Sequence, residues 1–524
     1  MSVGRVYLVG AGPGDPGLLT LRGAELLARA DLVLYDGLAN PLLLRLTRGV
    51  CERTSRAREH AGATVPQSEV NQRLIAAART GKCVVRLKGG DPFLFGRGSE
   101  EARALAEAGV PFEVVPGVTA AIAAGEYAGI SLTHRELASA VAFITGHEDP
   151  TKPAAAIDYA ALARFPGTLV FYMGLNRLPQ IAAALIEAGL STTTPAAVIC
   201  KASRPEQRTV TAALSEIAAV AEQAELQPPS LIVVGECVSQ RERIAWFEQR
   251  PLFGQRIGIT RPDEITPVVG GRSDVGQQAT IARCLELGAD PVLMPLIDVR
   301  PVADYSAVDA TLAQLDDYDW LIFTSANGVN ALFNRLWEAG GDLRRLGGVK
   351  IACIGPATAS ALQVWRLRAD LVPDSYRAEA LAAALIPVVG AGRALWARAS
   401  RGRDVLPNEL RSAGATVDEL VVYENNDVAV LAESVERQLA EGRLDWIGLS
   451  SPSIARHLAK LLTSGARDQL GQTARLAAIS PVTAAAAGEA GLPVDVVAET
   501  FTWEGLFDAM VAAGGTSYTA SHDV

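Results

Sequence analysis

The feature that most constrains this chain is an ordered self-repeat in its second half. "DWLIFTSANGVNAL" at 319–332 returns as "DWIGLSSPSIARHL" at 445–458, and "VKIACIGPATASAL" at 349–362 returns as "ARLAAISPVTAAAA" at 474–487. The spacings are 126 residues (319 to 445) and 125 residues (349 to 474). A third echo pairs "GQRIGITRP" at 254–262 with "GRALWARAS" at 392–400. Each copy reads as an apolar strand, a small polar turn and a helix. One match between Ala-rich helices arises by chance, but an ordered set, two of its members at nearly the same spacing, implies a duplicated unit. Two related α/β lobes, forming a clam with a cleft, are expected.

Strand–helix alternation also fills the first half. Strand candidates fall at 5–10, 31–35, 83–87, 141–145, 168–172, 196–200 and 230–234, with helical stretches such as 68–79 and 99–108 between them. This pattern predicts an α/β fold of parallel sheets covered by helices. A length of 524 residues exceeds what one core supports, and about three or four compact units are expected. The best boundary is "IAWFEQRPLFGQ" at 244–255, where a helix gives way to a Pro/Gly connector.

A net charge of −10 argues against a nucleic-acid partner, so an anionic substrate needs a local basic patch. The six cysteines are scattered without a C-x-x-C pair, and the five histidines are widely spaced. Neither a disulfide framework nor a metal site is predicted. No apolar run reaches membrane-spanning length, and no basic, apolar leader follows Met1. No membrane association and a cytoplasmic location are expected.

"VYLVGAGPGD" at 6–15 permits two readings. One is the phosphate-binding turn of a nicotinamide enzyme, with Asp36 at the end of "LVLYD" gripping a ribose. Against it, Asp15 replaces the last glycine and would repel a pyrophosphate, while Pro13 lacks an N–H. Asp36 also reads as a simple turn or N-cap acid.

The other reading comes from the motifs that follow. "GAGPGDPGLLTLRGAELL" at 10–27, "VVRLKGGDPFLFGRGSEEA" at 84–102, "VVPGVTAA" at 114–121, "AGISLTHR" at 128–135, "ITGH" at 144–147 and "VFYMGL" at 170–175 together resemble uroporphyrinogen-III C-methyltransferase. The resemblance covers roughly residues 3–250. It implies a fold of two α/β subdomains, usually a homodimer, that holds S-adenosyl-L-methionine in the cleft between them. Two methyl groups pass to a tetrapyrrole, giving precorrin-2 and S-adenosyl-L-homocysteine. By this resemblance Pro13, Gly89, Gly90, Asp91, Leu94, Thr119, Ala120 and Met173 line the cofactor site, and Ala202 stands where the family has a glycine. Asp36 matches the family's proposed base. Arg58 falls where its Lys proton donor belongs; an arginine there holds a carboxylate but is a poor acid. The implied substrate carries eight carboxylates, so charge-assisted partners are expected. Candidates are Arg45, Arg48, Arg53, Arg56 and Arg58 on one segment, with Arg86, Lys88, Arg97, His134 and Arg135 on the loops. A solvated basic face is the plainer alternative.

In the second half, Thr324, Ser325, Asn327, Thr358, Ser450, Ser451, Ser453, Ser480 and Thr483 sit at predicted strand ends, and Pro356, Pro452 and Pro481 open the helices that follow. Helix N-termini offer free N–H groups suited to carboxylates, although plain capping explains any single Ser or Thr. "RIGITRP", "DYDWLIFTSANGV", "IACIGPATASAL", "VPDSYRAEALAAAL" and "VVYEN" resemble uroporphyrinogen-III synthase over about 254–511. That family closes hydroxymethylbilane into uroporphyrinogen III while inverting the last ring. Tyr423 matches the family's tyrosine near the cleft, with core packing as its alternative.

The combined expectation is a bifunctional enzyme of tetrapyrrole biosynthesis. The methyltransferase half spans 1–245 and a linker 246–255. The synthase half spans 256–511, with one lobe from 256–296 plus 425–511 and the other from 297–424, before a disordered tail at 512–524. Two alternatives remain at this point: a methyltransferase for a later corrin intermediate with a non-catalytic second half, and a nicotinamide-dependent oxidoreductase.

Overall fold

A computed structural model describes residues 3–54, 66–146, 157–265 and 276–514. The chain is α/β throughout and divides into two compact units, with the boundary in the sequence between Gly254 and Gln255.

The first unit holds two five-stranded sheets. One contains β1 (Arg5–Gly10), β2 (Leu32–Tyr35), β3 (Val50–Arg53), β4 (Cys83–Lys88) and β5 (Phe112–Val115), in the order β3-β2-β4-β1-β5 with all pairs parallel. Its strands read as continuous apolar runs because helices cover both faces. Val6, Leu8 and Val84 pack with Leu74 and Leu105 on one side, while Val9, Val85 and Leu87 pack with Leu26 and Leu27 on the other.

The second sheet contains β6 (Val141–Thr145), β7 (Thr168–Tyr172), β8 (Pro195–Cys200), β9 (Arg208–Ala213) and β10 (Ser230–Val234), in the order β6-β7-β10-β8-β9. Only β6 and β7 are parallel; the other three pairs are antiparallel. The expected all-parallel sheet is thereby corrected. The short link 201–207 between β8 and β9 has no room for a crossover helix, so the chain must turn straight back.

The connector is folded into this unit. Phe247 is 2% exposed and packs with Ala123, Tyr127 and Phe253. The rings of Trp246 and Phe247 lie 5.2 and 4.7 Å from that of Tyr127. Its aromatic residues, more than its Pro and Gly, decide where it goes.

The second unit contains β11 (Arg256–Ile259), β12 (Asp290–Leu293), β13 (Ile297–Pro301), β14 (Trp320–Phe323), β15 (Lys350–Cys353), β16 (Arg393–Ala399), β17 (Thr416–Asp427), β18 (Trp446–Leu449), β19 (Arg475–Ala478) and β20 (Val496–Val497). They form two sheets, β12-β11-β18-β19-β20 and β13-β17-β16-β14-β15. The sequence repeat is a structural one. β11, β18 and β19 stand side by side in the first sheet as β16, β14 and β15 do in the second, all parallel. Both copies start alike. The side chain of Asp319 accepts from Arg393 N at 2.8 Å, and that of Asp445 accepts from Arg256 N at 2.7 Å. A cation from the following strand lies over each repeated indole, Lys350 at 5.5 Å from Trp320 and Arg475 at 3.9 Å from Trp446. β17 runs parallel to β16 and then antiparallel to β13, so a two-stranded ribbon joins the sheets.

Trp446 is fully buried and donates its indole N–H to Gln255 Oε1 at 2.8 Å. Trp446→Ala is expected to cost about 3–5 kcal/mol, because a cavity and an unpaired amide oxygen remain. Denaturant unfolding of the second unit checks this; a loss under about 1 kcal/mol contradicts it.

Candidate active sites

Three carboxylates organise the C-terminal edge of the first sheet. Asp36 follows β2; its Oδ1 accepts from Leu38 N at 3.0 Å and Ala39 N at 3.1 Å, and its Oδ2 accepts from Gly89 N at 3.0 Å. Asp91 follows β4 and repeats the arrangement, with Oδ1 on Phe93 N (2.8 Å) and Leu94 N (3.1 Å) and Oδ2 on Gly117 N (3.1 Å). Asp15 follows β1; one oxygen accepts from Gly17 N and the other from the Tyr127 hydroxyl, both at 2.7 Å. Each acid closes its own turn with one oxygen. The other oxygen fastens a distant segment. Asp36 is therefore a turn acid, and it is also held against the glycine loop after β4.

Gly12 and Gly90 pair through their backbones, Gly12 N donating to Gly90 O at 3.2 Å and Gly90 N to Gly12 O at 2.8 Å. Both adopt left-handed φ, +75° and +68°. The Gly12 N–H is thus committed within the protein, unlike the free donors of a phosphate-binding turn. A Cβ on Gly90 would meet only Ala120 N, at 3.8 Å, so this glycine leaves a space that any side chain would fill. That space lies among the residues expected to take an adenosine-bearing cofactor. Their fit is of the right kind, because backbone groups and small side chains can close on a ribose and purine.

Thr119, Ala120, Leu94 and Met173 meet around Tyr172. The Tyr172 hydroxyl accepts from Ala121 N at 3.0 Å and shares a hydrogen bond with Thr119 Oγ1 at 2.7 Å. The Phe95 ring stands 4.8 Å from the Tyr172 ring. Leu94 and Ala120 pack on the same core cluster as Tyr172. Burial raises the pKa of this phenol. Met173, the next residue, is 54% exposed. Its φ of +57° belongs to a group of strained residues on these loops, with Phe95 (+54°), Arg97 (+58°), Lys201 (+48°) and Ser203 (+63°). Such backbone collects where a site imposes geometry that sequence would not choose. Pro13 is half-buried on the loop after β1, and Ala202 is buried with its methyl in the core.

Two expectations for the substrate contacts are corrected. Arg86 and Lys88 lie within β4 and are 5% and 4% exposed. Arg86 Nε, Lys88 Nζ and Gln67 Nε2 all donate to Glu101 Oε1 at 3.0 Å. They stand under the helices that cover this face, so they are a buried cluster, not loop contacts. Burial, then the Arg86 charge, pulls the Lys88 pKa down. Arg97 is exposed and holds Glu100 in a fork, at 2.9 and 2.8 Å. His134 and Arg135 sit on a separate turn in which His134 N donates to Ala138 O at 2.8 Å. Arg58 and Arg56 lie outside the described residues.

The second unit places its polar residues at the C-terminal edges of both sheets. Ser325 Oγ caps a helix by accepting from Gly328 N at 3.0 Å, and lies 3.0 Å from the Tyr423 hydroxyl. Tyr423 is 5% exposed and belongs to the core; burial raises its pKa. Thr324 accepts from the Trp396 indole at 3.2 Å. Ser451 caps Ile454 N at 3.2 Å and pairs with exposed Ser453 at 2.9 Å. Ser450 is half-buried beside them. Two assignments need correction. Thr358 and Thr483 are 4% and 0% exposed, turned inward by their helices. Asn327 is engaged by Ile265, whose N–H it accepts at 3.0 Å, while Asn330 donates to Ile265 O at 2.8 Å. Plain capping accounts for Ser325, Ser451 and Ser480 as groups. Ser325→Ala is expected to lower the stability of the second unit by about 1 kcal/mol, which denaturant titration reads; no change would mean the cap is idle.

Sequence reasoning missed Tyr172, Tyr127, Ser203 and Gln207. The available signal was a tyrosine set among alanines and glycines in "AAIAAGEYAG" and another ending "LVFY". Among the described residues, no cluster of His, Cys, Asp and Glu could hold a metal, and no helix is long and apolar enough to cross a membrane.

Comparison with known proteins agrees with this division. The family model "Tetrapyrrole (Corrin/Porphyrin) Methylases" matches residues 5–218, and that of "Uroporphyrinogen-III synthase HemD" matches residues 278–508. The porphyrin biosynthesis protein HemD of Ruminiclostridium josui is 35% identical over 516 residues, 98% of this chain and 99% of that protein. The sirohaem synthase of Pseudomonas fluorescens is 49% identical over 249 residues, 47% of this chain and 53% of its own, so this chain spans about half of that relative. A crystal structure of uroporphyrin-III C-methyl transferase from Thermus thermophilus, complexed with S-adenyl homocysteine, is 42% identical and covers 45% of this chain and 99% of that one, with a TM-score of 0.39. With a full-length relative at this identity and both modules in the same order, the chain belongs to the family of the porphyrin biosynthesis protein HemD, joining a tetrapyrrole methylase to a uroporphyrinogen-III synthase.

Proposed function

We propose that the second half closes hydroxymethylbilane into uroporphyrinogen III and that the first half methylates this product twice, giving precorrin-2. The observation that carries the reading is the placement of Asp36, fastened to Gly89 beside the open face of Gly90. A base on the loop after β2 is thereby tied to the loop after β4 that borders the cofactor pocket. S-adenosyl-L-methionine, when bound, supplies an electrophilic methyl group. The chain's own part is to orient the ring carbon toward that pocket and to receive a proton at the Asp36 carboxylate. Gly90 and Gly12 keep the pocket floor free of side chains, and Tyr172 fixes Thr119 and Ala121 at its wall. In the second half no nucleophile is required. Capped helix starts at Ser325, Ser451 and Ser480 present N–H groups to carboxylates, and the protein's work is to hold the linear substrate folded.

The test supplies purified protein with uroporphyrinogen III and S-adenosyl-L-methionine. A product heavier by two methyl groups is expected. A mass unchanged here, with a later corrin intermediate methylated instead, would replace this substrate assignment.

A further inference from the structure

Asp15 spoils the opening motif as a phosphate turn, and methyl transfer gives it no task. The structure does. Four hydrogen bonds close a circuit around it. The Tyr127 hydroxyl donates to Asp15 Oδ2 at 2.7 Å, and Asp15 N donates to Ser203 Oγ at 3.1 Å. Ser203 N then donates to Gln207 Oε1 at 2.9 Å, and Gln207 Nε2 returns to the carbonyl of Tyr127 at 3.1 Å. Three segments far apart in sequence are thus tied together: the loop after β1, the helix Ala120–Ala128, and the turn between β8 and β9. Two of them belong to different sheets of the first unit.

The circuit is anchored from outside. Glu248, on the connector, accepts from Gln207 Nε2 at 2.9 Å and Thr209 Oγ1 at 2.7 Å, and is paired with Arg241. Tyr127 and Ser203 are 8% and 2% exposed, so the bonds are shielded from water. The left-handed φ of Ser203, +63°, persists because both its N–H and its hydroxyl are held.

We propose that Tyr127 and Glu248 are positioning residues of the methyl-donor pocket, setting the distance between the loop of Pro13 and the turn of Ala202. This rests on the methyltransferase reading above. Neither side chain needs to touch the cofactor. Tyr127→Phe keeps the ring stack and deletes one bond, to a charged acceptor, which is the stronger kind. Glu248→Gln loosens the anchor more gently.

The test measures adenosylhomocysteine affinity by calorimetry, together with methylation kinetics and the synthase activity of the same full-length chain. Tyr127→Phe should weaken adenosylhomocysteine and raise KM for the donor about tenfold, with a much smaller change in kcat; Glu248→Gln should follow in the same direction. Synthase activity should hold, and the unfolding temperature should fall by only a few degrees. Wild-type affinity retained in Tyr127→Phe overturns the inference and leaves the methyltransferase reading standing. A parallel fall of kcat, affinity and unfolding temperature also overturns it, since the role is then merely structural. A wild-type chain that binds no adenosylhomocysteine overturns both.

Discussion

Asp36→Asn is expected to lower methylation by about 100-fold to 10,000-fold, the range lost with a general base, while ring closure stays within twofold. The asparagine oxygen can still accept from Leu38 N and Ala39 N, so the turn survives. Its amide nitrogen, however, would face Gly89 N, donor against donor, where a carboxylate oxygen now accepts at 3.0 Å. Charge and loop attachment are lost together. Kinetics of both reactions on one preparation provide the check, because the second unit reports on folding of the sample. Methylation within tenfold of wild type would show that another group takes the proton.

Gly10→Ala is expected to destabilise the first unit by about 3 kcal/mol or more and to abolish adenosylhomocysteine binding. A Cβ there would lie 2.5 Å from the Cα and N of Gly117 and 2.7 Å from Gly90 O. All three are backbone atoms, so no rotamer change relieves the clash. The three glycines are where strand ends and loops cross, and the Gly12–Gly90 pairing must move if Gly10 gains a side chain. Gly109→Ala is the control. Gly109 also has a left-handed φ, +67°, but a Cβ would meet nothing within 4 Å. It should cost about 1–2 kcal/mol, the strain alone. Equal losses at the two positions would mean that conformation, not crowding, explains Gly10.

Much of the architecture was legible because its causes are local. Apolar strands such as "VYLVG" and "CVVRLK" carry their own signal, and the duplicated Asp-Trp starts exposed the second unit's symmetry. Gly89, Gly90 and Asp91 were readable because one contiguous motif positions them, and Asp36 because it ends the apolar run "LVLYD". What was not legible depends on folding in three dimensions. Arg86 and Lys88 read as surface charge until β4 proves central and Glu101 arrives from a helix 15 and 13 residues further on. The connector read as a tether because its Pro and Gly are visible and the partner of Phe247 is not. Asn327 read as a strand-end polar group, yet it accepts from the N–H of Ile265, 62 residues away. The antiparallel half of the second sheet follows from the short β8–β9 turn, which strand propensity alone does not reveal.

Both halves on one chain should act in sequence on one molecule, and that is the claim most open to direct test. Purified full-length protein is given hydroxymethylbilane with S-adenosyl-L-methionine, and the products are resolved by mass and ring isomer. The account predicts a type III skeleton carrying two added methyl groups, and unmethylated uroporphyrinogen III when the donor is left out. Type I isomer alone in the absence of donor, at the rate of the spontaneous reaction, would contradict it.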